Sequence, residues 1–127
     1  MAIALDHLIL PVNDIDESIS FYTRVLGVRH DGSDGPFAVL RVAPELTLQL
    51  APWGTKGGEH LAFAFDAAEF EAAFARIRAD AIPYGDSFDT VGNMKGPGRE
   101  SGARGMGKAV YFCDPSKHLI EIRCYED

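Results

Sequence analysis

The sequence of 127 residues predicts an α+β fold made of a βαβββ unit that occurs twice. Three observations predict it. A strand-like run, a helical run and a set of short strands follow one another in the same order in both halves. Each half opens on an apolar run bearing a histidine, Leu5-Asp6-His7-Leu8-Ile9-Leu10 and Glu59-His60-Leu61-Ala62-Phe63-Ala64-Phe65. A last run, His118-Leu119-Ile120-Glu121-Ile122-Arg123, sets a carboxylate among aliphatic residues. The two units cover about residues 1–54 and 55–127 of what reads as a single domain.

The elements follow in order. Residues 3–12 read as a strand, and Asn13 or Asp14 offers an N-cap with acidic residues in the first turn. Ile15, Ile19, Tyr22 and Leu26 recur at helical spacing, widened by Phe21 and Val25, and Gly27 ends the helix. The run 31–36 is rich in turn residues. Strands are expected at 37–42 and 46–51, with Pro44 and Glu45 at the bend between them. In the second half a strand at 59–65 leads to Asp66, an N-cap with Glu69 at capping-box spacing. Phe70, Phe74 and Ile77 then form the stripe of a helix ending near Ala79. A short strand around Ile82-Pro83-Tyr84, a glycine-rich polar segment from Gly85 to Gly107, and strands at 108–113 and 118–124 complete the chain.

Composition narrows the function. A formal charge of −7 opposes nonspecific binding to nucleic acid, which needs a basic surface. No apolar run reaches membrane-spanning length, and the expected location is the cytoplasm. Cys113 and Cys124 lie far apart along the expected terminal hairpin, so no disulfide is expected between them.

Two imidazoles and a carboxylate on three apolar strands are the donor set of a divalent-metal site with open positions. A lone histidine in an apolar strand is more often structural. Two in equivalent places of a repeat, with Glu121, point to a metal instead. If Glu121 faces the interior it needs a metal, a cation or a proton to offset desolvation. If the face of Leu119, Glu121 and Arg123 turns to solvent, Glu121 pairs with Arg123. His118, beside the Asp114-Pro115 turn, reads as a turn-stabilising residue. The segment 93–107 is long for a loop in a compact domain; Lys95, Arg99 and Arg104 make it either a lid that binds an anionic substrate group or a solvated loop. Trp53 and Tyr111 are further candidates for substrate contact, although large aromatics usually belong to the core.

The ordered set His7-Leu8-Ile9-Leu10-Pro11-Val12, Ser18-Ile19-Ser20-Phe21-Tyr22, Val25-Leu26-Gly27, Glu59-His60-Leu61-Ala62-Phe63 and Tyr111-Phe112 through Asp114-Pro115 and His118 to Glu121 spans nearly the whole chain. It resembles the vicinal oxygen chelate superfamily of glyoxalases, bleomycin-resistance proteins, fosfomycin-resistance transferases and extradiol dioxygenases. The resemblance implies a curled, half-barrel mixed sheet. It also implies metal ligands at His7, His60 and Glu121, with Glu121 as the catalytic carboxylate. The fourth ligand position falls on Gln49, where bacterial glyoxalases usually carry glutamate, and a neutral amide holds a cation more weakly.

The implied cofactor is a divalent Fe, Ni, Zn, Mn or Co ion. The implied substrate is a small molecule that chelates the ion through neighbouring oxygens. The ligand strands are most similar to glyoxalase I, which favours lyase or isomerase chemistry. The alternatives are an extradiol-type dioxygenase and a drug-binding protein of the bleomycin-resistance kind. Many relatives pair their units between subunits, so a homodimer is expected in which His7 meets His60 and Glu121 across the interface. Fosfomycin enzymes carry a threonine where this chain has Ile9.

Overall fold

The computed structural model describes residues 2–126, which form two compact units divided between Lys56 and Gly57. The first holds β1 (His7–Pro11), α1 (Ile15–Phe21), a π-helical turn (Tyr22–Leu26), β2 (Arg29–Asp34), β3 (Phe37–Ala43) and β4 (Leu46–Ala51). The second holds β5 (His60–Ala64), α2 (Ala67–Ala79), β6 (Tyr84–Gly85), β7 (Gly98–Gly102), β8 (Gly105–Cys113) and β9 (Leu119–Cys124). Strand order is β1-β4-β3-β2 in the first sheet and β5-β9-β8-β6 in the second, where β7 also pairs with β8. In each unit the opening strand lies parallel to the closing one, while the remaining pairs are antiparallel.

The helices start where the sequence places their caps. Asp14 accepts a hydrogen bond from Glu17 N at 2.9 Å, and Asp66 from Glu69 N at 2.8 Å. Gly27 closes the first helix with φ of 78°, a conformation that glycine adopts without the Cβ penalty. The expected stripe is buried in Phe21, Tyr22, Val25 and Leu26, and α1 packs on β3 and β4 over Leu40, Leu48 and Leu50. In the second unit Phe70, Ala73, Phe74 and Ile77 of α2 are buried, and α2 packs on β9. Ile120, Ile122 and Cys124 alternate along β9 and are fully buried. That alternation turns Leu119, Glu121 and Arg123 to the opposite face of the sheet.

Three expectations change. The first strand starts at His7 rather than residue 3, because pairing with β4 begins at His7 opposite Thr47. The turn-rich run 31–36 lies largely within β2, which is held by pairing to β3 and by Asp31, bonded to both Arg29 and Arg41. The glycine-rich segment is not a structureless loop: β7 and the start of β8 form a hairpin with Ala103 and Arg104 at its tip. No helix among the described residues is long and apolar enough to cross a membrane. Cys113 and Cys124 are free thiols on β8 and β9, where they pair with Leu119 and Lys108 respectively.

The β8–β9 turn is fixed by one carboxylate. Buried Asp114 accepts from Ser116 N at 2.9 Å and His118 N at 2.8 Å. The buried His118 ring in turn accepts from Glu59 N at 3.2 Å, anchoring the residue before β5. Asp114→Ala strips two buried amides of an acceptor and is expected to lower stability by at least about 2 kcal/mol, read from urea unfolding midpoints.

Candidate metal centre

The two units repeat one register. Ile9, two residues beyond His7, stands opposite Gln49, and Ala62, two beyond His60, stands opposite Glu121. Gln49 and Glu121 are therefore equivalent positions of the duplication. Their other neighbours are Val39 in the first sheet and Tyr111 in the second. The strand alternation puts histidine and amide on one face in the first unit, and histidine and carboxylate on one face in the second.

In the second unit His60 and Glu121 meet. His60 Nε2 lies 2.9 Å from Glu121 Oε1, at the wall of a concavity of about 380 Å³. The imidazole is half-exposed and the carboxylate buried. Glu121 is also paired on its other oxygen, where Arg123 Nη1 donates to Oε2 at 2.6 Å. Both sequence readings of this face thus hold in part: Glu121 pairs with Arg123, and the pair is buried rather than solvated. Tyr111 sits behind the site with its ring centroid 6.2 Å from that of His60. Burial pushes its hydroxyl up to about 12, helped by the Glu121 and Glu100 charges and by its hydrogen bond to Glu121.

In the first unit His7 Nδ1 lies 2.7 Å from Asp6 Oδ2, which leaves Nε2 as the nitrogen directed outward. A carboxylate on the far nitrogen is the arrangement that orients and strengthens a ligating imidazole. Gln49 lines a separate concavity of about 550 Å³ together with Asp6, Arg41 and Thr47.

Of the proposed substrate-contacting residues, Arg104 lines the second-unit concavity and stacks 4.3 Å above the Tyr125 ring. Lys95 and Arg99 do not line it, and Arg99 pairs with Lys108 in the ladder. Trp53 is exposed and packs edge-on against Phe37 at 5.6 Å. Tyr125, on sequence a plausible pocket hydroxyl like Tyr111, lines the concavity, and Arg123 is the lining residue that the sequence did not mark for function. The signal was there for Arg123, since two residues along a strand return to the same face.

One donor pair has the separation that two ligands of a divalent ion take up. Two donors about 2.1 Å from an ion and at right angles stand about 3 Å apart, close to the separation of His60 Nε2 and Glu121 Oε1. Among the described residues no three His, Cys, Asp or Glu side chains gather at one point.

A mixed α+β chain with a repeated strand-helix-strand register and a His–Glu pair facing a concavity defines the class. The chain belongs to the Glyoxalase/Bleomycin resistance protein/Dioxygenase superfamily, which it matches over residues 4–122. It is 30% identical to the glyoxalase domain-containing protein RDO1 of Mycosarcoma maydis, over 98% of this chain and 69% of that protein. It is 24% identical to the metallothiol transferase FosB of Shouchella clausii, over 96% of this chain and 80% of that protein. Among solved structures it resembles oxidase ChaP-H1 with a TM-score of 0.81 and 27% identity, over 98% of each chain.

Proposed function

We propose that the protein is a divalent-metal enzyme acting on a small substrate that chelates the ion through neighbouring oxygens. The observation that carries this reading is the 2.9 Å approach of His60 Nε2 to Glu121 Oε1, facing a concavity. His60 and Glu121 would hold the ion, with His7 and Gln49 as the further donors, in a homodimer. A bound Fe, Ni, Zn, Mn or Co ion supplies Lewis acidity toward an oxyanion of the substrate. Arg104, over the ring of Tyr125, places positive charge at the concavity for an anionic substrate group. Tyr111 adds a hydrogen bond to Glu121 from the neighbouring strand.

Two reaction types compete, a glyoxalase-like lyase or isomerase and an extradiol-type dioxygenase. Two imidazoles and one carboxylate are the donor set of oxygen-activating iron enzymes. An oxidase among the structural relatives also supports the second type.

Metal analysis of the purified protein is expected to find one divalent ion per chain, lost in His60→Ala and after chelator treatment. Iron-loaded protein is then offered a catechol in an oxygen electrode and, separately, the hemithioacetal of glutathione and methylglyoxal in a spectrophotometer. Oxygen uptake supports the dioxygenase type, and loss of hemithioacetal without oxygen uptake supports the isomerase type. Protein that binds no divalent ion, and binds its ligand equally well after chelation, overturns the enzyme reading in favour of a drug-binding protein.

A further inference from the structure

Arg123 is buried to within 3% of its surface, in a sheet face that also buries its carboxylate partner. Its guanidinium makes a fan of contacts. Nη1 donates to Glu121 Oε2 at 2.6 Å and to Ser101 O at 3.2 Å, and Nη2 donates to Glu100 O at 2.9 Å. The Tyr125 ring lies 4.6 Å from its Cζ. Nε is buried without a hydrogen-bond partner among the described residues. The side chain runs from β9 across β8 to the carbonyls of β7.

The residues beneath and beyond it are small. Ala109 is its partner on β8, and a Cβ on Gly107 would come within 3.3 Å of Nη2. At Gly102 a Cβ would run into both the guanidinium and the Tyr125 hydroxyl. Gly102 of the hairpin therefore leaves room for this cation, whereas Gly107 lies closest to the Cys124 backbone oxygen.

The duplication supplies a comparison within the same chain. Two residues beyond Glu121 stands Arg123, opposite Ala64 on β5. Two residues beyond Gln49 stands Ala51, opposite Pro11 on β1. The carboxylate position comes with a buried cation, and the amide position comes with a methyl group. The cation goes with the charge of Glu121 and not with the fold of the unit.

We propose that Arg123 is the positioning residue of the metal centre, occupying Oε2 of Glu121 so that Oε1 alone acts beside His60. This rests on the metal reading above. A planar guanidinium fixed at four sides gives its carboxylate one orientation. Glu121 so held serves as a stationary one-oxygen donor, and neither bidentate coordination nor a swing toward a substrate proton is open to it. Proton transfer at the substrate then falls to another group. The arrangement keeps the ligand frame fixed.

The test uses cobalt(II) ions with the full chain and the variants Arg123→Lys and Arg123→Met. The dissociation constant is read by calorimetry, and the ligand geometry by the visible absorption of the bound cobalt. Removing a partner that orients a ligand typically weakens metal binding by about 10- to 100-fold. Arg123→Met is expected to show a loss of that size and an altered cobalt spectrum. Arg123→Lys keeps the charge without the planar fork and is expected to fold, bind about tenfold more weakly and shift the spectrum. Should Arg123→Met fail to fold, Arg123→Lys decides by itself. Cobalt binding and spectrum unchanged in Arg123→Lys overturn the positioning role while leaving the metal reading intact. A wild-type protein that binds no cobalt overturns the metal reading itself, and the positioning role with it.

Discussion

Glu121→Gln is expected to destabilise the protein by about 3–5 kcal/mol, far more than the exchange of one oxygen for an amide group suggests. The reason lies in what it leaves behind. Arg123 is buried with Glu121 as its only carboxylate within salt-bridge distance among the described residues. Removing one member of a buried pair strands the other, and that penalty exceeds the net worth of the pair. The glutamine carbonyl can still accept one hydrogen bond from Nη1, which sets the loss toward the lower end of the range. The companion measurement is the double variant Glu121→Gln/Arg123→Met, which removes the charge from both sides and is expected to be more stable than Glu121→Gln alone. Urea unfolding of the four proteins closes the cycle, with unchanged slopes showing that only stability has moved. A loss below about 1 kcal/mol in Glu121→Gln would show that the pair is solvated. Cobalt binding should weaken in both variants, since a neutral amide oxygen holds a cation less tightly than a carboxylate.

The two kinds of feature in this chain differed in how far the sequence announced them. Both helices carry their signals within one or two turns: Asp14 and Asp66 as caps, apolar residues at helical spacing, and Gly27 at an end. Local signals of that kind survive in a linear reading. The equivalence of His7 with His60 and of Gln49 with Glu121 was legible because a duplicated register repeats its spacing, and strand pairing in both units follows it. The continuation of β2 through residues 31–34 and the hairpin of β7 with β8 were not legible. Asp31-Gly32-Ser33-Asp34 and Gly98-Arg99-Glu100-Ser101-Gly102 have the composition of turns, and only pairing with a distant strand makes them extended. The burial of Arg123 was hidden for the same reason. The spacing of Glu121 and Arg123 showed one shared face, but the hairpin that removes this face from water was itself unread.

Gly102→Ala carries the second large effect, and its sign depends on Arg123. On propensity alone the change should help, because alanine in a strand is favoured over glycine by about 0.5–1 kcal/mol. The added methyl, however, is directed at the Arg123 guanidinium and the Tyr125 hydroxyl. Surface side chains would yield to it at little cost. Arg123 cannot, because its contacts to Glu121, Ser101 and Glu100 fix the head group. The expected result is a net loss of about 1–3 kcal/mol from overpacking, together with weaker cobalt binding as Glu121 loses its hold. In an Arg123→Ala background the guanidinium is gone and only the Tyr125 hydroxyl stands in the way, so there the same methyl should cost less. Melting curves of Gly102→Ala in the two backgrounds therefore ask whether the glycine serves the hairpin or the cation. A loss of equal size in both backgrounds would assign the glycine to the hairpin and its contact with Tyr125 rather than to the cation. A loss confined to the wild-type background would assign it to Arg123, and would tie the composition of a segment that looks like a loop to a charge on β9.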